Sequence, residues 1–238
     1  MSDYLLLEKN LTKKDINKIY QLIDTEAVWV DGIETFGIDQ HDPDTEEVRE
    51  DKRRFKKNLQ CKFTDRGTVC LQDIVYSRID TKYKFYDFTL AANSKTPLLT
   101  RTEVGGYYKP HHDNYDVGDF STTVFLNDDF EGGELCLWIN GEEKKFKPRA
   151  GGSVTYKTGT PHRVNEVTKG NRDVVVFWTH TQLKDPFEFE MYRGLTTALE
   201  CMEPNGNGIY KTLEDANKDP HFILRRLQQM ILRKHHRN

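Results

Sequence analysis

The sequence predicts an α+β fold in which a mainly β core, a sandwich or jelly roll, is flanked by helices at both ends. Residues 85–183 are rich in Tyr, Phe, Val and Thr, in short runs separated by Gly-Gly, Asn-Asp and Asn-Gly turn signals. The residues on either side follow helical periodicity instead. We expect the 238 residues to form one domain, with 1–84 as an N-terminal helical support region, 85–183 as the core and 184–238 as C-terminal helices.

The N-terminal region begins with a short apolar stretch that is expected to form a strand, followed by an amphipathic helix over residues 12–24. Thr12 to Asp15 is a helix-start signal, and the residues that follow recur at helical spacing. Residues 41–57 are strongly charged, which predicts a solvated loop running into a helix, with a disordered linker as the alternative. A further helix is predicted over residues 67–79. Its apolar face would consist of Val69, Leu71, Ile74, Val75 and Ile79.

Six segments of the central region are predicted to be strands. They are TTVFLN, ELCLWI, EKKFKP, GSVTYK, HRVNEV and DVVVFWTH. Asn140-Gly141, between the second and third, is a two-residue hairpin signal. Beyond Pro186 the pattern predicts two helices, of which the second covers residues 222–232. The first would place on one face Phe187, Met191, Leu195, Ala198 and Leu199.

Composition excludes several classes of function. The formal net charge of −3 provides no general basic field, so nucleic acid is not an expected partner. No segment approaches the roughly 20 apolar residues of a membrane span, and the first residues lack a signal-peptide core. The four cysteines are scattered, without a CxxC pair, which favours free thiols. These absences together lead us to expect a cytoplasmic protein without a membrane partner.

The segment GGYYKPHHD, which spans Gly105 to Asp113, contains a candidate metal site. Residues two apart on a strand share a face, so His111 and Asp113 could bind one metal while His112 faces away. His162 follows several strands later and could supply a third ligand. Two His and one carboxylate are the ligands of non-haem iron(II) oxygenases, which keep positions open for a 2-oxo acid and O2.

Arg172 is a candidate anchor for that 2-oxo acid. It lies ten residues after His162, beside a predicted strand, so a β-hairpin could return it to the same cavity. Its guanidinium would bind the distal carboxylate of 2-oxoglutarate through a bidentate, charge-assisted pair. The alternative is a structural ion pair with Glu134 or Asp173.

Four segments together resemble the prolyl 4-hydroxylase-like, or PKHD-type, iron(II)/2-oxoglutarate dioxygenases. They are GGYYKPHHD, EGGEL at Glu131–Leu135, AGGSVTY followed by PHRV, and TKGNRDVVVFW. The resemblance covers residues 98–182, with a weaker similarity at Lys57–Gln60, and implies a double-stranded β-helix core with flanking helices. Carried over by position, it makes His111, Asp113 and His162 the iron ligands and Arg172 the anchor of the 2-oxoglutarate C5 carboxylate.

The same resemblance implies further pocket residues. Trp178, on the strand that follows Arg172, would form a wall of the cosubstrate pocket, with plain core as the alternative. The family often has a Tyr at the start of a Tyr-x-x-Gly motif, where this chain has Thr102, so Tyr107 or a water could replace that contact. The remaining candidates line the pocket or belong to the core. They are Tyr108 and Tyr156.

The implied activity is hydroxylation of a prolyl or other amino-acid-type substrate, peptidyl or free, or of another small molecule. The cofactors would be Fe(II), 2-oxoglutarate and O2, with ascorbate as a candidate reductant and succinate as the coproduct. Two alternatives are a non-catalytic jelly-roll module that binds a sugar or peptide, and a zinc hydrolase with the same three ligands. Arg172 has no obvious use in such a hydrolase. The sequence alone specifies neither the substrate nor the oligomeric state.

Overall fold

A computed structural model describes residues 3–35, 45–79, 83–114, 116–202 and 209–235. The strands are β1 (Tyr4–Leu7), β2 (Val28–Asp31), β3 (Lys56–Lys57), β4 (Leu59–Lys62), β5 (Ala91–Ser94), β6 (Leu98–Thr102), β7 (Tyr107–His111), β8 (Phe120–Phe125), β9 (Glu131–Gly132), β10 (Leu135–Ile139), β11 (Glu142–Phe146), β12 (Ser153–Lys157), β13 (His162–Val164), β14 (Val167–Lys169) and β15 (Arg172–Thr181). The helices are α1 (Lys13–Glu26), α2 (Glu46–Arg53), α3 (Asp65–Ile79), α4 (Tyr83–Thr89), α5 (Pro186–Glu200), α6 (Leu213–Lys218) and α7 (Pro220–His235). A 3₁₀ turn covers Gly32–Thr35.

Two antiparallel sheets dominate the described structure. Sheet A runs β1-β12-β8-β15-β6-β4-β2, sheet B runs β11-β10-β13-β7-β3, and β9 pairs with β14 in a short ribbon. The chain alternates between the sheets, passing from β6 to β7, back to β8, across to β10 and β11, and back to β12. Apolar side chains from both sheets form one core. Its members are Phe125, Phe130, Leu135, Leu137, Ile139, Phe146, Val154, Tyr156, Val167 and Val174.

Helices α1 and α3 pack on sheet A. A capping box begins α1, in which Thr12 Oγ1 accepts from the Asp15 amide and the Asp15 carboxylate accepts from the Thr12 amide. The Tyr20 hydroxyl of α1 donates to Asp173 on β15 at 3.2 Å, and the Tyr76 ring of α3 meets Phe177 edge-on at 5.2 Å. The predicted strand near residue 4 and the helix predicted over 12–24 are confirmed as β1 and α1.

The N-terminal region also supplies strands that the sequence did not predict. β2, β3 and β4 extend the edges of the two sheets, so helical support describes only part of this region. Helix α2 follows the charged segment as predicted, although residues 36–44 lie outside the described residues. The prediction for Val69 was wrong, because its side chain on α3 is 54% exposed. The buried positions of α3 recur every fourth residue and leave Val69 off the stripe. They are Gly67, Leu71, Val75 and Ile79.

The central strands follow the prediction closely, with one exception. The hairpin between β10 and β11 turns at Asn140 and Gly141, whose φ angles of 52° and 82° are those of a type I′ turn. HRVNEV, predicted as one strand, divides into β13 in sheet B and β14 in the short ribbon. The intervening Asn165 and Glu166 break the alternation that a single strand requires.

The described residues fall into two compact units, one within 1–82 and 93–180 and the other within 83–92 and 181–238. The second unit contains α4 to α7, which confirms the two helices predicted beyond Pro186. In α5 the predicted apolar face was partly wrong, since Phe187 is 72% exposed and Met191 is also exposed. Asp185 is the N-cap of α5 and accepts a hydrogen bond from the Phe187 amide, so Phe187 lies in the exposed first turn. Leu199 is buried as predicted, and the other buried residues of this helix are Phe189 and Tyr192.

Within the described residues, helices that combine the length and apolar character needed to cross a membrane are absent.

Candidate metal centre and its cavity

His111, Asp113 and His162 converge in the first unit. One ligand atom from each lies within 4.8 Å of the others, and the Asp113 Oδ1 atom is 3.9 Å from His111 Nε2 and 3.8 Å from His162 Nε2. His111 and His162 are paired directly across β7 and β13. Strand β7 ends at His111, so Asp113 belongs to the segment that follows and not to the strand face expected from alternation. The three side chains nevertheless meet as predicted.

Both imidazoles are oriented by backbone carbonyls. The Nδ1 atom of His111 lies 2.8 Å from the Lys109 oxygen, and that of His162 lies 2.9 Å from the Thr160 oxygen. A carbonyl can only accept, so each Nδ1 carries the hydrogen and each Nε2 keeps its lone pair for a metal. Burial, and then the neighbouring His162, lower the pKa of His111 to about 4. That imidazole is therefore neutral at physiological pH, as a metal ligand must be.

Asp113 is oriented by two donors on sheet A. Its Oδ2 atom accepts hydrogen bonds of 2.8 Å from the Ser121 hydroxyl and from the indole Nε1 of Trp178. The Oδ1 atom is then the oxygen that faces the two imidazoles. Trp178 lines the cavity, where the sequence placed it, but its contact with Asp113 was not foreseen. Two Nε2 atoms and one carboxylate oxygen, each fixed through its other polar atom, fit a divalent metal with open coordination positions.

The centre opens into a cavity of about 520 Å³ between sheets A and B. This volume lies in the range of roughly 300–1,000 Å³ that is common for small-molecule sites. The lining combines polar side chains, among them the candidate metal ligands and Arg172, with apolar ones. The apolar members are Leu98, Val117, Leu135, Val164 and Val176.

Arg172 is the buried cation of this cavity. Arg172 is only 3% exposed. Its Nε atom has no hydrogen-bond partner among the described residues. Burial lowers the pKa of Arg172 to about 10, so it remains charged at neutral pH. A buried guanidinium with an unsatisfied donor is costly unless an anion binds to it.

Neither proposed structural partner of Arg172 pairs with it in the described structure. The Asp173 carboxylate accepts from Arg101 Nε at 2.7 Å and from Arg101 Nη2 at 2.8 Å. Glu134 accepts from the Asn165 amide at 2.8 Å. The described residues therefore do not show the ion pair of Arg172 with Glu134 or Asp173.

Tyr156 lines the cavity together with the candidate metal ligands and Arg172. Its ring meets His162 edge-on at 5.2 Å. Burial, followed by the Asp113 charge, raises the pKa of Tyr156 well above its usual value, while Arg172 acts in the opposite direction. The phenol therefore stays protonated at neutral pH. Thr102 is buried directly opposite Arg172 in the pairing of β6 with β15.

Tyr107 and Tyr108 both line the cavity but differ in role. The Tyr107 hydroxyl donates to the carbonyl oxygens of Arg53 and Arg54, each at 3.3 Å, so its phenol oxygen is engaged at the end of α2. The Tyr108 ring stacks on His111 with centroids 3.5 Å apart. A register irregularity between β7 and β13 allows Tyr108 and His111, three residues apart, to share a face.

Several cavity residues were not predicted from the sequence, among them three polar ones in the N-terminal region. Lys56, Asn58 and Gln60 alternate along β3 and β4 and line the cavity opposite the central strands. The sequence contains one signal for these residues, because polar side chains recur at every second position in FKKNLQC. This segment overlaps the weak family similarity at Lys57–Gln60. Charged segments of this kind ordinarily lie in solvent, so the burial of Lys56 could not be predicted from the sequence.

Comparisons with known proteins agree with this geometry. The family model described as the 2OG-Fe(II) oxygenase superfamily matches residues 97–180. A PKHD-type hydroxylase of Gluconacetobacter diazotrophicus is 31% identical over 187 residues, which cover 74% of this chain and 77% of that protein. A PKHD-type hydroxylase of Thermosynechococcus vestitus is 30% identical over 208 residues, which cover 83% of this chain and 87% of that protein.

Solved structures show the same fold at low sequence identity. An oxidoreductase of the 2OG-Fe(II) oxygenase family from Burkholderia pseudomallei has a TM-score of 0.52 at 16% identity, over 74% of this chain and 84% of that one. A prolyl hydroxylase from Trichoplax adhaerens, in complex with a hypoxia inducible factor oxygen degradation domain peptide fragment, has a TM-score of 0.51 at 14% identity. That match covers 74% of this chain and 83% of that one.

Proposed function

Because the chain belongs to the PKHD-type hydroxylases of the 2OG-Fe(II) oxygenase superfamily, we propose that it hydroxylates a prolyl or other amino-acid-type substrate, peptidyl or free. In the proposed reaction one oxygen atom of O2 enters the substrate as a hydroxyl group. The other enters 2-oxoglutarate, which loses CO2 and becomes succinate. The prolyl part of the proposal is supported by the prolyl hydroxylase activity named for the Trichoplax adhaerens protein.

The observation that carries the proposal is the buried Arg172 guanidinium in the same cavity as the metal ligands. A dicarboxylate of suitable length would join the two, with one carboxylate on the arginine and the 2-oxo acid end at the metal. A zinc hydrolase has no need for a second anion site at that position. A sugar-binding module has no need for the three metal ligands.

The chain's own residues fix geometry and exclude water. Bound iron(II) and 2-oxoglutarate would supply the activation of O2 and the oxidising capacity for cleavage of a C–H bond. His111, His162 and Asp113 hold the metal, and Trp178 and Ser121 hold Asp113 in position. The apolar side chains that line the cavity would help to exclude water from the bound reactants.

Tyr156 and Thr102 are the proposed neighbours of the bound 2-oxoglutarate. Thr102 lies opposite Arg172, and Tyr156 lines the same cavity as Arg172 and Asp113. The two hydroxyls could therefore donate to the cosubstrate in place of the tyrosine that opens the Tyr-x-x-Gly motif elsewhere in the family. Tyr107 is less suited to this role because its hydroxyl is bonded to the end of α2.

The proposed core of the fold is a double-stranded β-helix. Its eight strands would be β6, β15, β8 and β12 of sheet A, together with β7, β13, β10 and β11 of sheet B. Support comes from the way that consecutive strands alternate between the two sheets, as in a jelly roll with two Greek keys.

The test is O2 uptake and succinate formation by protein reconstituted with iron(II) and 2-oxoglutarate, using free amino acids and proline-containing peptides. We expect substrate-stimulated succinate in the wild type and its loss in the His162→Ala and Arg172→Met variants. Lys57→Met, which changes an exposed residue on the same short strand as Lys56, serves as the control. Succinate formation that persists at the wild-type rate without His162 or Arg172 would contradict the proposal.

A further inference from the structure

The Asn127 side chain bridges the two peptide groups on either side of Arg172. Its amide nitrogen donates to the Asn171 carbonyl oxygen at 2.7 Å, and its amide oxygen accepts from the Asp173 backbone amide at 2.9 Å. Arg172 lies between these two residues in the sequence. One side chain therefore holds the backbone immediately before and immediately after the residue that carries the buried guanidinium.

Asn127 takes the place of a strand partner at this point of sheet A. On one side of β15, the pairing with β6 already includes Arg172, which lies opposite Thr102. On the other side, the register with β8 begins only at Val174, opposite Phe125. A side-chain amide has a donor and an acceptor like a peptide group, so the amide of Asn127 continues the ladder along Arg172.

A third contact of Asn127 lies within its own turn. The amide nitrogen also donates to the Asp129 Oδ1 atom at 2.7 Å. The Asn171 carbonyl and the Asp129 carboxylate can only accept, so the amide nitrogen faces them and the amide oxygen faces Asp173. The Asp129 contact does not involve the backbone of β15, and its removal therefore separates the turn from the bridge.

The side chain of Arg172 is packed closely, so its guanidinium follows the position of its backbone. A Cβ atom added at Gly133 would lie 3.1 Å from the Arg172 Cδ atom. The guanidinium carbon lies 5.1 Å from the centroid of the Phe125 ring. With the stem and the charged end in these contacts, a shift of the backbone would move the guanidinium relative to the metal ligands.

We infer, on the basis of the proposed function, that Asn127 is a positioning residue for the anchor of 2-oxoglutarate. It sets where the Arg172 guanidinium lies, and hence how well the cavity distinguishes a 2-oxo acid with a distal carboxylate from one without. A bidentate, charge-assisted pair depends on alignment as well as distance, so a small displacement weakens it. The chelating end of the 2-oxo acid would bind at the metal and would not depend on Asn127.

The experiment compares two 2-oxo acids in protein loaded anaerobically with iron(II). 2-Oxoglutarate carries the distal carboxylate, whereas 2-oxovalerate has a methyl group in its place and the same chelating end. Both affinities are measured from the visible metal-to-ligand charge-transfer band, and their ratio gives the preference for the carboxylate. A general disturbance of the fold would weaken both acids, whereas displacement of the guanidinium would weaken only 2-oxoglutarate.

In the wild type we expect 2-oxoglutarate to bind roughly 30-fold or more tightly than 2-oxovalerate, because only the former has a charge partner for Arg172. Asn127→Ala should lower this preference by about tenfold and leave the affinity for 2-oxovalerate within about twofold of the wild type. Asp129→Ala is the matched control. It removes the contact within the turn and keeps both backbone hydrogen bonds, so its preference should equal that of the wild type.

A second variant exchanges the two side chains, Asn127→Asp together with Asp129→Asn, and keeps the net charge. It retains an acceptor for the Asp173 amide but loses the donor to the Asn171 carbonyl. The preference for 2-oxoglutarate should therefore fall by roughly threefold or more, as expected for the loss of one hydrogen bond. This variant decides the question where Asn127→Ala does not fold, and a wild-type preference in it would contradict the inference.

Three further results would overturn the inference. Asn127→Ala could keep the wild-type preference, it could weaken both acids by the same factor, or Asp129→Ala could lower the preference as much as Asn127→Ala does. The second result would make Asn127 a structural residue of the fold. Failure of the proposed function is distinguishable, because the wild type would then give no band with either acid, or equal affinities for both.

Discussion

Asp113 is held by hydrogen bonds to one oxygen while the other faces the two imidazoles. The Trp178 indole and the Ser121 hydroxyl both donate to Oδ2 at 2.8 Å. Donors of this kind fix a carboxylate's orientation, and their loss typically weakens metal binding by about 10- to 100-fold. Trp178 therefore both lines the cavity and orients the Asp113 carboxylate.

Trp178→Phe should weaken iron(II) affinity by about 10- to 100-fold while the protein stays folded. The ring and its packing are largely kept, and only the donor to Asp113 is lost. Competition with a metal-sensitive dye under anaerobic conditions measures the affinity. Trp138→Phe is the matched control, since Trp138 lies on β10 with more than half of its side chain exposed. Equal iron affinity in the Trp178 and Trp138 variants would show that the hydrogen bond does not position the ligand.

Arg172→Met should have opposite effects on 2-oxoglutarate binding and on the stability of the apoprotein. Affinity for 2-oxoglutarate should fall by roughly 30-fold or more, because a charge partner of a carboxylate is lost. The free energy of unfolding without ligand should rise by about 1 kcal/mol or more, since an unpaired buried charge is replaced by an apolar side chain of similar length. Anaerobic titration and urea unfolding measure the two quantities. An apoprotein destabilised by several kcal/mol would instead indicate a structural role for Arg172.

The convergence of His111, Asp113 and His162 could be predicted from the sequence because two His and one carboxylate form a recognisable ligand set, even though His162 lies far along the chain from the other two. Lys56 could not be predicted as a cavity residue, since a lysine within a charged segment ordinarily lies in solvent. Its burial results from pairing with Tyr108 across β3 and β7, a contact between residues far apart in the chain. The Trp178 contact with Asp113 was likewise hidden, because strand alternation predicts which face a side chain takes but not which atom it reaches.

At the scale of elements, the turn between β10 and β11 was predicted because its conformation requires particular residues. Asn140 and Gly141 both have positive φ, and the Asn-Gly pair tolerates this better than other pairs. The predictions that were wrong concern which residues of a helix are buried. On α3 and α5 more than one apolar stripe fitted the periodicity, and only tertiary packing selected the one that excludes Val69 and Phe187.

Gly141→Ala should reduce the free energy of unfolding by about 1 kcal/mol, through backbone strain alone. A Cβ atom at this position would meet nothing within 4 Å, while the φ angle of 82° is unfavourable for alanine. Urea unfolding measures the change. Gly159→Ala is the control, because that site is equally open but lacks a positive φ, and its stability should be unchanged or slightly higher. Equal stabilities for the two variants would contradict the assignment of strain to the turn.

At the scale of the whole molecule, the two sheets bring together residues that are distant in sequence. Sheet B supplies Lys56, His111 and His162, and sheet A supplies Arg172 and Trp178. That the central region forms β-sheets was foreseeable from its short runs of β-forming residues and the turn signals between them. The addition of β2 and β4 to the edge of sheet A was not, since their few residues give too short a pattern to separate a strand from a loop.

In the proposed enzyme one cavity would hold iron(II) on His111, Asp113 and His162, and 2-oxoglutarate between that metal and Arg172. The most direct test is anaerobic titration of the apoprotein with iron(II) and 2-oxoglutarate, followed through the weak visible metal-to-ligand charge-transfer band. We predict a band in the wild type that is absent from His162→Ala and that needs much more 2-oxoglutarate in Arg172→Met. A folded wild type that gives no band after chelation and iron reconstitution, and that retains zinc tightly, would contradict the claim.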